Sequence, residues 1–167
     1  MNSVVEEPSA VVSPHVEARV PQRTPTATAA FQCLVVSGEE SRREMLSRAA
    51  ELAGWETVVC ADARAGYMAS ERRLFQLAMI DVAGASADVV EEIHRLSERL
   101  SGAPDLLLMI CGNEGDALEE IWARQLGAWL YLPGVAEQCD VEGLCREAIP
   151  VAERLNGGSR QYAEYAA

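Results

Sequence analysis

Lysine is absent from this 167-residue sequence: all 14 basic residues are arginine, and 26 acidic residues leave a net charge of -12. Contact with a nucleic-acid backbone depends on Lys and Arg neutralising phosphates, so this balance argues against a nucleic-acid partner. No apolar run approaches the roughly 18 residues needed to cross a bilayer, and the amino terminus lacks the basic patch and apolar stretch of a signal peptide. The five cysteines (Cys33, Cys60, Cys111, Cys139, Cys145) form no C-x-x-C pair and no Cys/His spacing that closes a tetrahedral metal site. Reduced thiols in a cytoplasmic protein without a membrane segment are the expectation. Also lacking are a G-x-G-x-x-G after the first strand and a P-loop, and neither His15 nor His94 is placed with a nucleophile. Nucleotide binding and hydrolytic chemistry therefore have little support.

An apolar fraction of 49% in a chain of this length is enough for one domain with a real core. Residues 1–30 carry Pro8, Pro14, Pro21 and Pro25 among Val, Ala, Thr and Ser without a sustained period, and predict a disordered tail. The domain is expected over 31–155. Strand-like runs occur at FQCLVV (31–36), WETVVC (55–60), LAMID (77–81), DLLLMIC (105–111) and AWLYL (128–132). Continuous apolar runs of this kind suit strands buried on both faces.

Helical spacing fills the intervals. Ser41 is a candidate cap for a helix from about 42 to 53 that buries Met45, Leu46, Ala49, Leu52 and Ala53 and turns Arg42 and Arg43 mostly outward, with Gly54 at its end. Asp62 caps a second helix over about 63–73. A third, over 85–100, places Val89, Ile93, Leu96 and Leu100 on one face. A fourth, over 116–126, does the same with Leu118, Ile121, Trp122 and Leu126. The last covers about 140–155 with Pro150 inside it, and Asn156-Gly157-Gly158-Ser159 is expected to stop it, leaving 156–167 as a short tail.

Five strands alternating with five helices predict an α/β domain, a doubly wound parallel sheet with helices on both faces. For a chain of this size the expected strand order is 2-1-3-4-5. That order sets the first and third strands side by side, so Ser37–Glu40 faces Asp81 across the point where strand order reverses, where ligands of open α/β sheets bind.

The spacing from Val35-Val36 through Leu52-Ala53-Gly54 to Asp81, with Gly127-Ala128-Trp129-Leu130-Tyr131-Leu132-Pro133 near the fifth strand, resembles the receiver domain of two-component response regulators, over about residues 31–155. The resemblance implies a flavodoxin-like (CheY-like) fold and makes Asp81 the candidate phosphoacceptor. It also implies a pocket of Ser37, Gly38, Glu39 and Cys111. The departures are chemical. Ser37 and Gly38 stand where the family has its metal-binding acidic pair, Cys111 or Gly112 where it has Thr or Ser, and the lysine after the fifth strand is missing. Phosphoryl transfer to a carboxylate needs a divalent cation and a fixed positive charge. Glu39 and Asp81 are the poor remainder of an Mg²⁺ site. No cation is expected beside Asp81, since the first arginine after the fifth strand is Arg146, in the last helix.

The expectation is a degenerate receiver, or pseudo-receiver: a non-enzymatic signalling module without a cofactor, acting through protein–protein contact. A single-domain response regulator phosphorylated on Asp81 is the alternative. A histidine kinase or another signalling protein is the expected partner, and homodimers are a further possibility. Contact is expected through the fourth helix, fifth strand and fifth helix, with Trp122, Trp129 and Tyr131 as interface candidates. The acidic residues of that half, Glu114, Asp116, Glu119, Glu120, Glu137, Asp140 and Glu142, favour a basic partner. Cys111 is expected to be an inert core thiol.

Overall fold

The computed structural model describes residues 31–134 and 140–165; the tail expected over 1–30 lies outside them. Elements alternate in chain order: β1 (Gln32–Val36), α1 (Glu40–Ala53), β2 (Glu56–Cys60), α2 (Ala63–Arg72), β3 (Leu77–Asp81), α3 (Ala87–Ser101), β4 (Leu107–Gly112), α4 (Ala117–Leu126), β5 (Leu130–Pro133) and α5 (Val141–Tyr165). The sheet is wholly parallel, in the expected order β2-β1-β3-β4-β5.

Side-chain alternation along the strands creates two cores. Cys33, Val35, Leu77, Met79 and Met109 face α1 and α5, where Leu46, Cys145 and Ala148 meet them. Leu34, Val36, Ala78, Ile80, Leu108 and Ile110 face the other way, onto Ile93, Leu96 and Leu100 of α3 and Ala123 of α4. β1, β3 and β4 thus bury both faces, which is why their sequences read as unbroken apolar runs. The indole of Trp55 donates from Nε1 to the Cys145 carbonyl at 2.9 Å, tying the start of β2 to α5.

Four local expectations are corrected. Glu39, not Ser41, caps α1: its carboxylate accepts from the Ser41 and Arg42 amides, so the helix begins at Glu40. Leu118 and Ile121 of α4 are 80% and 49% exposed, and Ala123 is the helix's buried residue. At about 100° per residue, the face of α4 that carries Glu119 and Ala123 lies across the axis from Ile121, and it is this face that turns inward. Leu52 and Val89 are likewise exposed. Finally, α5 does not stop at Asn156 but continues to Tyr165. Asn156 donates its side-chain amide to the Ala152 carbonyl at 2.8 Å, a bond within the helix, and Gly157 is not in the left-handed conformation that ends α1 and α4. Pro150 sits inside α5 on the exposed side.

Candidate functional site

The adjacency of β1 and β3 brings the β1–α1 loop against the carboxyl end of β3, and Asp81 lies there 3% exposed. A carboxylate so enclosed must find donors. Ser37 Oγ donates to Oδ2 at 2.7 Å, Arg42 Nε donates to the same oxygen at 2.8 Å, and the Ala83 amide donates to Oδ1 at 3.1 Å. Arg42 Nη2 continues to the Ala83 carbonyl at 2.6 Å, so the guanidinium bridges α1 and the β3–α3 loop. Ser37 Oγ also lies 3.0 Å from the Glu39 carbonyl; with one proton to give, it favours the shorter, charge-assisted bond to Asp81.

This corrects the expectation that no cation stands beside Asp81: Arg42 supplies one from α1. The sequence did carry a signal. Arg42 and Arg43 lie in the first turn of a helix, where the macrodipole disfavours positive charge unless something else holds it. Both are held, since Arg43 Nη1 donates to the Ser37 carbonyl at 2.9 Å.

The other expected pocket residues divide. Ser37 is a ligand of Asp81. Glu39 is turned away as the cap of α1, and the amides of Arg42 and Ser41, then the Ser41 hydroxyl, hold its carboxyl below the ordinary range. Its share of stability is therefore complete above the ordinary Glu value of 4.5 and is lost as pH falls through its lowered folded value. Acid titration of the thermal midpoint should show this loss, and Glu39→Gln should flatten that part of the curve; an unchanged curve would remove the cap from the account. Gly38 is open: a Cβ built on it meets nothing nearer than the Ala61 carbonyl at 3.9 Å. Cys111 pairs in register with Asp81 and accepts the Val82 amide at 2.8 Å, while its buried side chain belongs to the core under α1 and α5.

A divalent cation does not fit this donor set. Mg²⁺ demands near-octahedral oxygen ligands including one or two free carboxylates. Both Asp81 oxygens already accept bonds, Glu39 is committed to the helix end, and Arg42 fills the space beside Oδ2. Among the described residues no cluster of three or more His, Cys, Asp or Glu could hold a metal ion.

A second polar cluster, missed from the sequence, adjoins the first. Glu119 Oε1 accepts the Asn113 amide at 2.7 Å and the Tyr131 hydroxyl at 2.9 Å, and Oε2 accepts Asn113 Nδ2 at 3.0 Å. Asn113 Oδ1 in turn accepts the Gly84 amide at 3.0 Å. Burial, and after it the Glu119 carboxylate, raise the Tyr131 hydroxyl above its ordinary range. Gly112 makes the room, since a Cβ there would overlap Glu119 Oε1 and the Tyr131 hydroxyl. Contacts thus run unbroken from Asp81 through Arg42, the β3–α3 loop and Asn113 to α4 and β5.

Of the interface candidates, Trp122 stacks on His94 of α3, centroids 3.9 Å apart, and Tyr131 is held by Glu119. Trp129 precedes β5, so strand alternation does not reach it; it packs against the core under α1 and α5, on the opposite face from Tyr131. The exposed large apolar side chains of α4 are instead Leu118 and Ile121. No helix among the described residues is long and apolar enough to cross a membrane.

No protein-family model matches the sequence, and no curated protein matches it. Solved structures do match in fold. A CheY-like response regulator receiver domain protein from Methanospirillum hungatei is similar at a TM-score of 0.63 and 16% identity, over 78% of this chain and 99% of that one. The receiver domain of NtrX from Brucella abortus gives 0.55 and 22%, over 74% and 96%. A structure named as adenylate cyclase from Rhodopirellula baltica gives 0.65 and 13%, over 80% and 98%. The fold is that of CheY-like receiver domains.

Proposed function

We propose that this chain is a pseudo-receiver: a non-catalytic, metal-independent signalling module of two-component type that works in the cytoplasm by binding another protein. The observation that carries this reading is the Arg42 guanidinium on Asp81. It neutralises the carboxylate from within the chain and stands where an incoming phosphoryl group and its cation would need space. Ser37 in place of an acidic neighbour and the absence of lysine act in the same direction. The polar chain from Arg42 to Glu119 then holds α4 in one setting, with Glu119 turned inward and Leu118 and Ile121 exposed on a helix that Asp116 caps and whose first turn also carries Glu120. That surface suits a partner with apolar and basic side chains, a histidine kinase or another signalling protein, or a second copy presenting such groups.

One observation favours the alternative, a response regulator phosphorylated on Asp81: the residue stands at the carboxyl end of the central strand, at the switch point of the sheet. Incubation with Mg²⁺ and either beryllofluoride or a small phosphodonor separates the two. The pseudo-receiver should show no mass adduct and no change in tryptophan fluorescence. A stoichiometric adduct abolished by Asp81→Ala would establish the alternative.

A further inference from the structure

A second groove lies at the amino-terminal edge of the sheet, opposite Asp81. Leu74, Phe75, Leu100 and Leu106 line it with Arg73 and Arg99 beside them, enclosing about 260 Å³. Leu74 is 85% exposed, more than any other large apolar side chain among the described residues. The larger groove between α1 and α5, about 480 Å³, is lined by Glu44, Asp140 and Glu142 against Arg48 alone. The Leu74 groove has two arginines and no carboxylate, on a chain whose net charge is -12. Arg99 is steadied 4.6 Å above the Tyr67 ring and lies 3.9 Å from Glu71, a long pairing that leaves guanidinium donors for another carboxylate.

The chain enters the sheet at this same edge. The Gln32 amide donates to Gln76 Oε1 at 2.9 Å and the Gln76 amide to the Gln32 carbonyl at 3.0 Å, so the start of β1 is bonded to a residue two positions after Leu74. Thirty residues precede Phe31, and among them Val4-Val5-Glu6-Glu7 sets two branched apolar side chains beside two carboxylates. Glu17, the remaining acidic residue there, is followed closely by Arg19, which offsets it.

We propose that Val4–Glu7 docks into the Leu74 groove of its own domain, with the valines against Leu74 and Leu106 and the carboxylates on Arg73 and Arg99. Residues 8–30 are the tether. A stretch of that length can reach up to about 80 Å, beyond the width of a domain this size, so the groove is within its range. The tether therefore sets an effective concentration in the millimolar range, and a contact of millimolar affinity is formed about half the time. Docking covers the protruding leucine and closes the one described groove whose charge complements the segment.

The test is amide hydrogen exchange on the full chain. Glu6→Arg with Glu7→Arg should speed exchange at 73–76 and 102–106 by about twofold while leaving the β3 and β4 amides unchanged, which shows that the fold is intact. Adding Arg73→Glu and Arg99→Glu should restore the slower rates. No change on charge reversal, or failure of the compensating reversal with β3 and β4 still protected, would overturn the proposal. So would protection that rises with protein concentration, which would assign the groove to a second copy.

Discussion

Gly112→Ala is expected to destabilise the protein by about 1–3 kcal/mol and to loosen α4, measured by denaturant unfolding and by amide exchange across Ala117–Leu126. The added methyl would occupy the position of Glu119 Oε1 and of the Tyr131 hydroxyl. Glu119 is a flexible side chain and can withdraw, but withdrawal strands the Asn113 amide and leaves the Tyr131 hydroxyl only its longer bond to the Asn113 carbonyl. The cost combines these broken hydrogen bonds with displacement of the Tyr131 ring, whose Cε2 lies 2.5 Å from the added methyl. A double-mutant cycle isolates the share of Glu119. In a Glu119→Ala background the carboxylate is already gone and only the contact with Tyr131 is left, so the same glycine substitution should cost at least about 1 kcal/mol less. Strict additivity would show that Glu119 is not what Gly112 accommodates.

Arg42→Ala is expected to cost about 2–3 kcal/mol, and more than Arg42→Lys. Removing one partner from a buried ion pair leaves the other desolvated and uncompensated. Here the carboxylate side chain is 1% exposed while the guanidinium is 28% exposed, which places the figure below that of a fully buried pair. Lysine offers one ammonium where arginine divides its donors between Asp81 and the Ala83 carbonyl, so its rescue should be partial. The substitution also tests what Arg42 prevents. Gly38 has room for a side chain, and Gly38→Asp would add a second carboxylate to the loop whose Ser37 already reaches Asp81. Combined with Arg42→Ala, it should make thermal stability respond to millimolar Mg²⁺, while the unaltered protein should not respond. A response in the unaltered protein would show that Arg42 does not keep the cation out.

The architecture was legible because its signals are local. Unbroken apolar runs such as Leu77–Ile80 and Leu107–Ile110, too short for buried helices, suit strands covered on both sides, and helical spacing between them leaves parallel crossovers as the connection. The setting of individual helices was less legible. Leu118, Ile121, Trp122 and Leu126 fall within reach of one helical face and read as core, yet Leu118 and Ile121 are exposed. Spacing says which residues share a face; it does not say which polar group across the sheet will capture the helix. For α4 that group is the Asn113 loop, which draws Glu119 inward.

The order of side chains along the chain determined five strands, three of them buried on both faces, their helices and the placing of Asp81 at the carboxyl end of the central strand. It also determined that no lysine could stand beside that carboxylate. Only the tertiary structure decided that an arginine does. Arg42 is 39 positions from Asp81, and Glu119 is 12 from Tyr131. Contacts at such separations exist only once the crossovers have stacked β1, β3, β4 and β5 side by side, because an ion pair depends on distance in space and periodicity records only distance along the chain.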